Sequence, residues 1–250
     1  MSDVTRAVNS NKGVCFVAVS GTDAGAILAR GLACNGAQVA LLTDVVADVP
    51  STVFQVDTSF SSRASVAAAF ARAQQQLGSA QMIVHSATPA TSLTSVPIDR
   101  LAHEQWGEST HAAIKSTFYC LQAAHDHFNG KGGSVVVFGP VLSLVGAPGL
   151  VALSTLLEAQ RALVKSAARQ WGQKGIRVNW VAIGGESNYP ALASADIPQV
   201  IEMGPPPPPL GRVPSLASDA AALIGLLVSD AASVITGATL NIDGGNWMVP

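Results

Sequence analysis

A doubly wound α/β domain built on a parallel sheet is the architecture that this 250-residue sequence predicts. Short apolar runs alternate with helical patterns from end to end, the order that covers both faces of one sheet with helices. The runs are nearly continuous in apolar character, as strands covered on both faces require. The length suits one domain with a sizeable core, and neither an internal repeat nor a boundary divides it. Residues 1–250 are therefore read as a single domain, with the polar residues 1–12 as an N-terminal extension.

The elements follow in order. VCFVAVS (14–20) reads as the first strand and residues 24–35 as the first helix. AQVALLT (37–43), a helix over 63–77, QMIVHSA (81–87) and a long helix over 101–128 come next. GSVVVFG (133–139) reads as a strand, and residues 150–173 as a helix that ends at a Lys-Gly turn. IRVNWVAI (176–183), a helix within DAAALIGLLVSD (219–230) and a last strand in GATLNID (237–243) complete the pattern. Pro205 to Pro209 stand in a row, which enforces stiff polyproline II. That run reads as a rigid lid or connection before the helix at 216–229, with a docking site for a proline-reading domain as the alternative.

Hydrophobic residues make up 48% of the chain and charged residues 12%, more apolar surface than a monomer readily hides, so an oligomer is expected. A net charge of −2 and the absence of basic runs argue against nucleic acid or an anionic membrane as partner. Cys15, Cys34 and Cys120 are odd in number and far apart, fitting neither a disulfide framework nor a metal site, and a reducing cytoplasm is expected. The opening MSDVTRAVNSNKG has no apolar stretch of signal-peptide type. No charge occurs between Lys131 and Glu158, but Gly139, Pro140, Gly146, Pro148 and Gly149 interrupt that stretch. A strand, a loop and a helix start explain it better than a membrane span.

Four segments carry a family resemblance. They are WGESTHAAIKSTFYCLQAA, GSVVVFGPVLSLVGAPGLVAL, KGIRVNWVAIGG and LGRVPSLASDAAALIGLLVSDAASVITGATLNIDGG, the last ending in Asp243-Gly244-Gly245. In this order and spacing they resemble the short-chain dehydrogenase/reductase family over almost the whole chain, which implies a Rossmann-like fold. In active members a tyrosine moves the hydroxyl proton while a lysine lowers its pKa and holds the nicotinamide ribose. A serine fixes the substrate oxygen and an asparagine organises a proton-relay water.

Alignment through ALVKSAARQW puts the tyrosine position at Leu153 and the lysine position at Leu157. The serine position falls on Pro140 and the asparagine position on Ala113. Leu153 and Leu157 lie one turn apart on a single helix face, where leucine fills space that an unpaired lysine could occupy only at high cost. No residue is therefore assigned a catalytic role. Of possible substitutes, Tyr119 reads as a buried or interface aromatic, Tyr189 sits in the loop after the 176–183 strand, and Ser143 and Ser154 read as loop and helix-surface hydroxyls. His85 ends a strand beside the expected cofactor cleft and reads as a hydrogen-bonded structural histidine, with a chemical role as the alternative.

The cofactor motif is damaged too. Where the family has TGxxxGIG, SGTDAGAI keeps Gly21 and Gly25 but has Ala26-Ile27 in place of the last Ile-Gly. The stretch to Asn35-Gly36 is about two residues short of the family spacing. Thr88 stands where a glycine lets the cofactor pass, and Ile183 where a proline flanks the nicotinamide. Asp44 and Asp57 occupy positions that contact adenosine in relatives and are otherwise solvated strand-end acids. Gly21, Gly25, Asp44 and Asp57 are read as vestigial, with no dinucleotide and no metal bound by this chain.

The association surfaces look intact. Helices 101–128 and 150–173 correspond to the family's main four-helix dimer interface, and NIDGGNWMVP to the tail at its second tetramer interface. Trp247 and Met248 there are candidate anchors or local core. The resemblance implies a non-catalytic subunit paired in a hetero-oligomer, a tetramer in the family's pattern, with a paralogous catalytic chain that binds NAD and oxidises a secondary alcohol of hydroxyacyl-CoA type. Two other readings are a homo-oligomeric enzyme with non-redox chemistry at His85 or Tyr189, and a ligand-sensing module.

Overall fold

The computed structural model describes residues 13–185 and 208–248. Seven parallel strands form one sheet: β1 (Val14–Ser20), β2 (Gln38–Thr43), β3 (Val53–Asp57), β4 (Met82–Ala87), β5 (Gly133–Pro140), β6 (Ile176–Ile183) and β7 (Thr239–Ile242). Their spatial order is β3-β2-β1-β4-β5-β6-β7. The chain thus winds outward in opposite directions from β1 and β4, and the crevice between those two is where folds of this kind take ligands.

Among the described residues six helices connect the strands: α1 (Ala24–Cys34), α2 (Arg63–Leu77), α3 (His103–Phe128), α4 (Leu142–Val145), α5 (Val151–Trp171) and α6 (Ala221–Val228). Side-chain alternation along β1 sorts them into two layers. Phe16 meets Phe70 of α2 and His127 of α3, whereas Val19 faces Gly25 of α1. Likewise β5 turns Gly139 toward Leu157 of α5 and sends Ser134 Oγ to the Leu227 carbonyl of α6. The helices α2, α3 and α5 cover one face, α1 and α6 the other.

Local chemistry sets the boundaries. Ser62 caps α2 by accepting the Ser65 N–H at 3.1 Å, and Gly78 ends that helix at φ +88°, which only glycine adopts freely. In α5 an apolar stripe at 153, 156, 157, 164, 167 and 168 turns inward, and Gly175 at φ +71° releases the chain into β6. Fully buried side chains of β1, β4, β5 and β6 form the centre of the core.

Several boundaries differ from expectation. The sequence reading missed β3, because Gln55 and Asp57 interrupt its short apolar run and only one neighbouring strand covers it. The last strand is Thr239–Ile242 rather than 237–243, and α3 starts at His103 rather than 101 because Ala102 is extended. The helix expected over 216–229 opens as a π-turn at Leu216–Ala220 before α6. Of the proline run, Pro208 and Pro209 are described and pack on Gly244 and Gly245; Pro205 to Pro207 lie outside the described residues. The charge-free stretch forms β5, α4 and the start of α5, and no helix among the described residues is long and apolar enough to cross a membrane.

Candidate functional site

Of the four family positions, Pro140 ends β5, Leu153 and Leu157 lie in the first turns of α5, and Ala113 lies on α3. Leu153 and Leu157 are fully buried. Leu157 Cδ2 lies 2.7 Å from where a Cβ on Gly139 would stand, and the Trp180 ring is 3.1 Å from the same point. Leucine, glycine and tryptophan thus interlock, leaving no room for a side chain at 139. Pro140 is buried in register with Ile183, whose carbonyl accepts the Val141 N–H at 3.0 Å. Ala113 is buried on α3 and contributes only its carbonyl, 3.1 Å from Thr117 Oγ1. None of the four can give or take a proton.

The possible substitutes are placed as follows. His85 is fully buried, with Nδ1 2.8 Å from the Ala18 carbonyl and Nε2 3.0 Å from Thr117 Oγ1. Burial pushes its pKa down to about 4, with the Ala18 carbonyl opposing the shift. A neutral ring that donates from Nδ1 and accepts at Nε2 uses both nitrogens, so His85 ties β4 to β1 and α3 and has none left for substrate. Tyr119 is half-buried on α3 beside Phe118, ring centroids 6.0 Å apart. Tyr189 lies outside the described residues. Ser143 and Ser154 carry buried hydroxyls without a hydrogen-bond partner, hence without a base to activate them.

Sequence reasoning overlooked Gln160. Fully buried on α5, it donates from Nε2 to the Ala87 carbonyl at 2.8 Å, pinning the end of β4, while its Oε1 has no partner. The signal was available: one amide stands in the otherwise apolar stripe 153, 156, 157, 160, 164.

At the cofactor end, Gly21 has φ +81°, and a Cβ there would lie 2.9 Å from Pro89 Cα and 3.1 Å from the Thr88 carbonyl oxygen. The segment after β4 therefore closes on the end of β1, and buried Thr88 donates its N–H to the Ser20 carbonyl at 3.3 Å. Asp44 folds back on the same turn, accepting from Ser20 Oγ at 2.5 Å and from the Gly21 N–H at 2.9 Å. Asp57 stands on the outer strand beside Thr43, accepting from Gln55 Nε2 at 3.0 Å.

Gly25 has a role other than the one its spacing suggested. A Cβ on it would lie 2.7 Å from Val19 Cβ and 3.2 Å from Leu41 Cδ1. That is the work of the last glycine in a dinucleotide motif, close packing of helix on strand, whereas the middle glycine admits the pyrophosphate. Gly21 and Gly25 supply the turn and the packing, and the residue entering α1 is Asp23. A pyrophosphate at this helix N-terminus would meet a carboxylate instead of bare backbone. The residues present do not fit the group.

The remaining positions are ordinary. Cys15 and Cys120 are buried free thiols, held protonated by burial, and Cys34 is exposed. No group of His, Cys, Asp and Glu among the described residues could hold a metal ion. Trp247 packs against the core and donates its N–H to Asp243 at 2.7 Å, while Met248 is exposed. A cleft of about 1030 Å³ lies at the opposite end of the strands among Gln81, Lys131, Gly175 and Arg177, far from the family positions.

Comparison with known proteins places the chain. A family model described as enoyl-(acyl carrier protein) reductase matches residues 20–246. Cis-4-hydroxycyclohexanecarboxylate dehydrogenase of Sinomonas cyclohexanicum is 29% identical, covering 93% of this chain and 95% of its own. A protein named inactive 2-(S)-hydroxypropyl-CoM dehydrogenase 2, from Xanthobacter autotrophicus, is also 29% identical and covers 87% and 98%. The solved structure of a short-chain dehydrogenase/reductase from Serratia marcescens superposes with a TM-score of 0.75 at 27% identity, covering 94% of this chain and 97% of that one. This chain belongs to the short-chain dehydrogenase/reductase family.

Proposed function

We propose that this chain is a subunit without chemistry of its own in a heteromeric, NAD-dependent short-chain dehydrogenase. Its partner is a paralogous chain with intact serine, tyrosine and lysine, and that partner holds the NAD. The observation that carries the reading is the packing of α5: two interlocked leucines, fully buried, stand where the proton-transferring pair belongs. The closed Gly21 turn, with Asp23 at the head of α1, supports the view that no dinucleotide binds here. A relative named as inactive supports the view that this fold outlives its chemistry.

The complex oxidises a secondary alcohol of hydroxyacyl-CoA type. In its combination of a degenerate chain and a catalytic paralogue it resembles the two-subunit dehydrogenase of anaerobic toluene degradation. On that resemblance the substrate is 2-[hydroxy(phenyl)methyl]succinyl-CoA, and this chain stabilises its partner or shapes the substrate pocket. Non-redox chemistry at His85 loses support, because both ring nitrogens are already engaged.

Affinity purification from the native host, read by native mass spectrometry, tests the reading. A second short-chain dehydrogenase with an intact Tyr-x-x-x-Lys should appear in fixed stoichiometry, and NAD-dependent oxidation should require both chains. Recovery of this chain only with copies of itself, or turnover by it alone, overturns the proposal.

A further inference from the structure

The pair Asn-Gly occurs twice in the sequence, as Asn35-Gly36 after α1 and as Asn129-Gly130 after α3. All four residues are exposed, and both glycines close their turns at positive φ, +92° at Gly36 and +76° at Gly130. In such a pair the glycine nitrogen can attack the side-chain amide before it, because no Cβ stands in the way. The two turns hold that nitrogen differently. After α1 the chain forms a Schellman cap: Gly36 donates its N–H to the Ala33 carbonyl at 3.0 Å, and Ala37 donates to Leu32 at 3.1 Å. Gln38 then donates to the Gly13 carbonyl at 3.1 Å and leads into β2. Freeing the Gly36 nitrogen therefore means breaking a cap that joins helix to sheet. After α3 the chain turns through Phe128–Lys131, and the Phe128 carbonyl accepts from Lys131 at 2.9 Å and from Gly132 at 3.1 Å. Asn129 at φ −55° and ψ 119°, followed by Gly130 at φ +76°, forms the middle of a type II turn. The Gly130 N–H has no hydrogen-bond partner among the described residues, and a Cβ on Gly130 would meet no atom within 4 Å.

We infer that Asn129 is a site of self-modification, where the folded chain converts its own asparagine to an aspartyl or isoaspartyl residue, while Asn35 is protected. The Gly130 nitrogen gives its proton to solvent base and bonds to Asn129 Cγ. The bond from Cγ to the amide nitrogen breaks, and that nitrogen leaves as ammonia with a proton from water. Water then opens the five-membered succinimide at one of its two carbonyls. Opening at the main-chain carbonyl routes the backbone through the side chain, and opening at Cγ leaves an ordinary aspartyl residue. Nothing is oxidised or reduced, and no partner subunit takes part. Ring closure needs Asn129 to rotate about ψ, which only the two bonds to the Phe128 carbonyl resist. The product is not neutral in its setting. Asn129 lies on the rim of the cleft that Lys131, Lys174, Arg177 and Asp230 also line, so a new carboxylate appears there among three cations and one acid.

Peptide mass spectrometry that separates aspartyl from isoaspartyl products reads this directly, on purified full-length chain held folded at mildly alkaline pH and sampled over days. Product at position 129 should accumulate about 10-fold faster than at position 35, the difference that one engaged donor and its cap make to a rate. In concentrated urea, where both turns are lost, the two positions should convert at similar rates. That arm separates the effect of the turn from the effect of the dipeptide. Isoelectric focusing of the folded chain should show a more acidic form growing with time, and Asn129→Gln should suppress it while leaving far-UV circular dichroism unchanged. Equal rates in the folded chain, faster conversion at 35, or no product at 129 overturns the inference. So does a difference that persists in urea, or an acidic form that grows undiminished in Asn129→Gln.

Discussion

On the proposed function, the two halves of the family's site are lost by different physical routes. On α5 the loss is a filling: proton-handling positions became Leu153 and Leu157, now core that locks against Gly139 and Trp180. At the β1–α1 turn it is a closing: Asp23 heads the helix, and Pro89 and Asp44 settle on Gly21. Filling makes the loss part of the stability of the fold. Closing leaves it in a solvated turn, where a reversal costs little and still restores nothing.

The sharpest way to break this contrast is to put the lysine back. Leu157→Lys buries an ammonium without a partner in fully packed core, an expected cost of about 4 kcal/mol out of a total of about 5–15. Urea unfolding should show the loss. With Leu153→Tyr added, no NAD-dependent turnover should appear, and a stable, active double variant would refute the filling account.

His85 gives a second large effect, read through pH. Its folded pKa is lowered to about 4 from an ordinary 6.5 by burial. Between those values the unfolded chain binds more protons than the folded one, so this contribution is complete above the ordinary value. It is lost as pH falls through the window, about 3 kcal/mol in all. Urea midpoints measured from pH 7 to 4 should fall for the wild type and less steeply for His85→Gln. Parallel profiles contradict the assignment.

Gly25→Ala comes next, at about 1–3 kcal/mol, because the new methyl would lie 2.7 Å from Val19 Cβ. A neutral result would mean that Gly25 is not the packing glycine. The smallest effect is expected at Asp44→Ala, within about 1 kcal/mol for two solvated hydrogen bonds and without gain of NAD binding. A marked gain in NAD affinity would show that the carboxylate was the obstacle and the missing residues were not.

Much of this was legible in the sequence, for reasons that vary by element. The central strands announced themselves because strands buried on both faces need unbroken apolar runs. The strand β3 did not, since an edge strand tolerates Gln55 and Asp57. That Leu153 and Leu157 share one buried face was readable from position alone, because a helix fixes spacing and hence which side chains lie together. The glycine motif was readable only in part. A two-residue deficit is visible over the whole stretch, but its location depends on which glycine touches Val19, a contact between elements and not a pattern within one. Gln160 was visible as one amide in an apolar stripe, but its role was not, since its partner, the Ala87 carbonyl, comes from a strand 73 residues away.

Titration of the isolated full-length chain with NADH, followed by cofactor fluorescence and calorimetry, tests most directly whether the fold remains without its cofactor site. The account predicts no saturable binding up to about 1 mM, with the chain cooperatively folded throughout. One NADH bound per chain with a dissociation constant in the micromolar range would contradict it, and would mean that the turn around Gly21 and Asp23 opens to admit a pyrophosphate.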